Sequence, residues 1–150
     1  MKNVMLAFML ATFTGAAAAQ ERPVPVAAVI EAMREAHRAL PKGLVGLESD
    51  GFKSIAAADT VAHALGLSVK PRRELRTCGH QVGCQLHGVV ATMTLLSATL
   101  EGDVVVVTLA TLQPNELMPT EMYGVMWMLS LKRQANGRWA VISSEKIFES

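Results

Sequence analysis

A chain of 150 residues with 14 basic and 13 acidic side chains carries no charge excess that would drive binding to nucleic acid or to an anionic membrane surface. Its length suits one domain with one core, and its two cysteines form an even set that is free to pair.

The first segment reads as an address rather than as structure. Met1-Lys2-Asn3 gives one positive charge, an uncharged stretch over 4–19 has its apolar heart at 4–13, and Ala16-Ala17-Ala18-Ala19 supplies the small residues a signal peptidase reads. This predicts a secretory signal peptide over 1–19, cut before Gln20, with 20–150 as a single α+β domain. A membrane anchor is the rival reading, but the stretch falls short of the ~20 apolar residues of a spanning helix and ends in alanine. Loss of Lys2 leaves 13 basic against 13 acidic side chains. The expected compartment is periplasmic or secreted, with no stable membrane anchor after cleavage.

Arg22-Pro23-Val24-Pro25 is a stiff, extended lead-in, because proline removes a donor and restricts the residue before it. Val26, Val29, Ile30, Met33, His37 and Leu40 then fall on one face at helical spacing, which predicts a helix over 26–40, stopped by Pro41-Lys42-Gly43. A short strand is expected within 44–49, and Asp50-Gly51 signals a turn. The alanine-rich 55–65 predicts a second helix, with Gly66 as its stop. A strand over 68–76 is confined by Pro71 to an edge or a bulge. Beyond the cysteines the pattern turns to β. Strands are expected over 89–100, 104–113, 121–133 and 139–148, with turns at Glu101-Gly102-Asp103 and Ala135-Asn136-Gly137-Arg138. The fold class expected is α+β, with N-terminal helices packed on a curved antiparallel β-meander of about four strands.

The stretch Leu131-Lys132-Arg133-Gln134-Ala135-Asn136-Gly137-Arg138-Trp139-Ala140-Val141-Ile142 resembles the final hairpin of NTF2-like proteins, in which a Gly-basic-Trp turn leads into the last strand. Cystatin-like folds share the layout of a helix on a meander, and small exported bacterial proteins with a two-cysteine loop before the sheet are also similar. The likeness covers under a third of the chain. The Gly/Pro-rich break between the helices and the cysteine loop depart from the NTF2-like pattern. The resemblance implies a helix-on-sheet fold and no particular activity.

Three groups of residues carry potential chemistry. Cys78 and Cys84 flank a loop with two glycines, and export would place them in an oxidising compartment, so a disulfide is expected. The competing reading is a zinc site from Cys78, His80, Cys84 and His87, although that spacing is not a usual zinc-finger arrangement. Met118, Met122, Met126 and Met128 offer thioethers suited to Cu(I), but three of them share one face of a predicted strand and read more simply as core. His37 and Tyr123 each combine an apolar body with a polar tip, and are the residues expected to line a binding pocket between the first helix and the sheet. No catalytic motif, metal signature or phosphate loop appears, and no cofactor is implied. The function expected is an exported, non-enzymatic binding or interaction module for an unidentified small molecule or protein. The alternatives are an NTF2-like domain that binds or transforms a small molecule, and a metal-handling protein.

Overall fold

The computed structural model describes residues 22–80, 83–118 and 120–150. The signal peptide expected over 1–19 lies outside the described residues. In chain order the elements are α1 (Val26–His37), β1 (Val45–Glu48), a 3-10 turn (Ser49–Gly51), α2 (Ile55–Leu65), β2 (Ser68–Lys70), α3 (Arg72–Leu75), β3 (Arg76–Gly79), β4 (Gly83–Leu86), β5 (Ala91–Glu101), β6 (Val104–Pro114), β7 (Met122–Arg133) and β8 (Trp139–Glu149).

The two longer helices follow their sequence signals. α1 buries Ala28, Val29, Ala32, Met33 and Ala36. Its outer side carries the spaced ion pairs Glu31–Arg34 and Glu35–Arg38. α2 begins where the Ser54 hydroxyl accepts the Ala57 N–H at 3.2 Å. It ends at Gly66, whose φ of +67° is the left-handed conformation that glycine adopts without strain.

The expected architecture, helices on a four-stranded antiparallel meander, does not hold. Among the described residues strand makes up 48%, the helices are three and short, and the main sheet has six strands of mixed direction. Its order is β2-β1-β5-β6-β7-β8, with β3 and β4 forming a separate hairpin. The four C-terminal strands run antiparallel, whereas β1 lies parallel to both β5 and β2. The link between β1 and β2 is the α2 crossover, since parallel neighbours cannot be joined by a tight turn. All four residues of β1 are buried, as befits a strand covered on both faces.

Register assigns the faces. On β6 and β7, Val105, Val107 and Leu109 pair with Leu131, Leu129 and Trp127 on the side covered by α1. Met33 from α1, Val61 from α2 and Leu47, Met93, Val107 and Leu129 from the sheet meet in this core. The second face is covered beside β1 by α3, and Arg76 of β3 extends over it toward Thr94 and Ala110. Leu75 lies so close over Gly46 that a Cβ there would meet its Cδ2 at 2.6 Å. Among the described residues no helix covers this face across β6 to β8. Met122, Met126 and Met128 lie on it, opposite Pro114, Ala110 and Thr108. The expectation that the methionine face is core is therefore corrected: Met128 is 37% exposed, and Phe148, the β8 partner of Met126, is 58% exposed. The alternation itself holds, but only one face of these strands receives a helix.

Candidate functional site

A cavity of about 450 Å³ opens between the N-terminal end of α1, α2 and β5. Its walls are built by local features of the chain. The Pro23-Val24 lead-in and Val26 and Val29 of α1 form one side, and Ala57 and Val61 of α2 another. The floor is β5 at Leu95–Ala98, where a bulge between Leu95 and Ser97 interrupts the pairing with β6. A bulge adds a residue to one strand and re-aims its side chain. Leu96 is that residue, and it stands 45% exposed at the cavity. Phe52 and Lys53 enter from the 3-10 turn. The turn approaches β5 at Gly51, where a Cβ would fall 2.1 Å from the Leu95 carbonyl oxygen, so only glycine permits this contact.

The lining is chiefly aliphatic, with Phe52 as its one aromatic ring and Lys53 and Ser97 as its polar side chains. A smaller recess of about 280 Å³ shares Pro23, Val24, Lys53 and Ala98 with the first and adds Arg22. Arg22 Nη2 donates to the Gly102 carbonyl at 3.3 Å, which ties the lead-in to the β5–β6 turn. The two spaces adjoin through these shared residues, and Lys53 is the cation common to both. Such a chamber suits a small, largely apolar ligand whose charged end is negative.

His37 and Tyr123 do not line this cavity. His37 is half-buried in the last turn of α1. Tyr123 pairs with Gln113, which puts it on the α1 side of the sheet, and it is half-buried beside Glu149 and Lys146. Partial removal from water pushes its phenol above the ordinary value of 10.0, and the Glu149 carboxylate adds to the shift by favouring the protonated form. Glu149 is held below its ordinary value, first by the Lys146 ammonium 2.9 Å away and then by the Tyr123 hydroxyl. Lys146 also lies 5.3 Å from the Trp127 ring centre, within cation–π range. This is a surface network, separate from the chamber. The structure thus leaves the two residues expected from sequence apart from the cavity, whose own polar residues, Lys53 and Ser97, carry no motif.

Cys78 and Cys84 form a disulfide across β3 and β4, where they are directly paired. The bond uses both thiolates that a zinc site at Cys78, His80, Cys84 and His87 would need. His87 Nε2 instead lies 2.8 Å from the Thr77 hydroxyl. Among the described residues no group of three or more His, Cys, Asp or Glu side chains is placed to hold a metal ion. An intramolecular disulfide fits an oxidising, extracellular or periplasmic environment. Among the described residues no helix is long and apolar enough to cross a membrane.

No family model, curated protein or solved structure matches the chain.

Proposed function

We propose that this protein is an exported, non-enzymatic binding domain whose ligand is a small apolar molecule with an acidic head, held in the chamber between α1, α2 and β5. The observation that carries this reading is the chamber itself. It is about 450 Å³ in volume and mostly aliphatic, with Lys53 in its lining and Arg22 in the adjoining recess. Ligand sites fall in the range of ~300–1,000 Å³ and combine apolar walls with a few placed polar groups. Export to the periplasm or outside the cell is supported by the n-region, apolar core and alanine run of residues 1–19, together with the disulfide. The non-enzymatic part rests on the lining: among the described residues Ser97 has no imidazole or carboxylate beside it in the cavity to act as its base.

Titration with 1-anilinonaphthalene-8-sulfonate, which joins an apolar ring body to a sulfonate, tests the reading. Saturable fluorescence enhancement is expected, with competition by decanoate. Ala57→Phe, which fills the chamber, should abolish it, and Lys53→Gln should weaken it about tenfold through loss of a charge-assisted contact. Equal binding by the wild type and Ala57→Phe would overturn the proposal.

A further inference from the structure

A second cavity lies by the 3-10 turn, α3 and the disulfide hairpin. It has a volume of about 710 Å³ and is lined by Asp50, Pro71, Arg72, Arg73, Arg76 and Cys78. The clustering of Lys70, Arg72, Arg73 and Arg76 within seven residues is plain in the sequence, and the fold explains how two of them are held. Glu48, the last residue of β1, is fully buried. Its carboxylate lies 2.7 Å from the Nε of Arg72 through one oxygen and 2.7 Å from the Nε of Arg76 through the other. The contact with Arg76 is an ion contact without hydrogen-bond alignment. The backbone N–H of Arg72 also donates to Asp50 Oδ2 at 2.6 Å, which pins the start of α3.

This arrangement fixes two guanidinium groups by their Nε atoms alone. Among the described residues the terminal Nη groups of Arg72, Arg73 and Arg76 make no hydrogen bond, and Arg73 has no ion-pair partner. The cavity lining holds three guanidinium groups and one carboxylate, Asp50; with the buried Glu48 behind Arg72 and Arg76 counted as well, one positive charge remains in excess. Lys70 of β2 and Glu74 of α3 flank the site outside its lining and offset each other in charge. A purely structural role accounts for Arg72 and Arg76 as the counterions of Glu48. It accounts neither for Arg73 nor for the recess that all three share.

We propose that this cavity binds a phosphate monoester. Guanidinium forks match phosphate oxygens two at a time, and a dianionic tetrahedral group has enough acceptors to engage several forks at once. The buried Glu48 holds Arg72 and Arg76 in place before the ligand arrives, which reduces the ordering cost of binding. The phosphate could belong to a soluble metabolite or to a lipid headgroup, and the two sources share this chemistry.

The test uses the disulfide-intact protein at low ionic strength. Calorimetric titration with inorganic phosphate should give saturable binding that weakens as salt rises. Arg73→Gln should weaken it about tenfold, the loss of one charge-assisted contact, while leaving the urea midpoint unchanged because Arg73 supports no internal contact. Arg73→Lys, which keeps the charge and loses the fork, should fall between the two. Arg76→Gln is a poorer probe, since it leaves buried Glu48 short of a counterion and can unfold the chain. Glycerol phosphate and vesicles containing phosphatidic acid then separate the sources: Arg73-dependent calorimetric binding of the former indicates a soluble ester, and Arg73-dependent co-sedimentation with the latter a headgroup. Absence of saturable phosphate binding, or binding indifferent to Arg73→Gln, would overturn the proposal.

Discussion

Gly51→Ala is the smallest change that should disturb both the fold and the chamber. The 3-10 turn presses its backbone against β5, and a methyl on Gly51 would sit 2.1 Å from the Leu95 carbonyl oxygen and 3.0 Å from its carbonyl carbon. Comfortable contact is ~3.5 Å, so the turn must retreat by about 1 Å or more. The obstacle is sheet backbone and cannot swing aside as a side chain can. Overpacking of this kind costs about 1–3 kcal/mol. For a urea slope of ~1–3 kcal/mol/M, a loss of about 2 kcal/mol lowers the midpoint by ~1 M. Gly46→Ala is the matched comparison. Its methyl would meet Leu75 Cδ2 at 2.6 Å, but the obstacle is the end of a side chain, so the smaller loss is expected there. Gly51→Ala should also change the affinity for the fluorescent probe, because Gly51 lines the chamber. An unchanged midpoint for Gly51→Ala, or a larger loss for Gly46→Ala, would refute the packing of the turn on β5.

Three further outcomes are expected. Met33→Ala should cost about 2–5 kcal/mol in urea unfolding, since Met33 is wholly buried between α1 and the sheet; a loss near zero would mean that α1 does not cover this face. Glu48→Gln should destabilise by about 3–5 kcal/mol, because Arg76, only 19% exposed, loses its counterion; wild-type stability in that variant would show that Glu48 is not buried against Arg76 as described. Tyr123 is the only tyrosine, so ultraviolet titration reads it alone, and its midpoint should lie above 10.0 and fall in Glu149→Gln. A phenol raised in the folded state binds its proton more tightly there. Its stabilising contribution is therefore whole below 10.0 and is lost as pH rises through the folded value.

What is legible in the sequence follows from how each element advertises itself. α1 and α2 show helical spacing over three turns, and Ser54 and Gly66 mark the ends of α2. β6 alternates in burial from Val104 to Thr111, but its four opening valines make both faces apolar in the sequence and suggest cover on both sides, so its one covered face is not readable there. β1 and β2 are four and three residues long, too short for any period, and β1 is buried on both sides. Their parallel pairing with β5, which turns a meander into a mixed sheet, therefore leaves no pattern to read. The basic cluster at Lys70–Arg76 is visible, but its partner Glu48 lies 24 residues before Arg72, a separation at which sequence gives no pairing signal. The chamber depends on a bulge at Leu95–Ser97 inside an apolar run and on the close approach of Gly51. The bulge is silent in sequence, and the Gly51 approach is indistinguishable there from an ordinary Asp-Gly turn. His37 and Tyr123 stand out for the chemistry of their side chains, which does not report which end of a helix meets a cavity.

Native mass spectrometry of the protein purified from its own compartment would show the chamber's ligand itself. The expected spectrum has a mass consistent with an intact disulfide, accompanied by a noncovalent adduct of a small acidic, mostly apolar molecule that Ala57→Phe eliminates. Wild-type protein that carries no adduct and acquires none on incubation with decanoate, or an adduct that persists in Ala57→Phe, would contradict it.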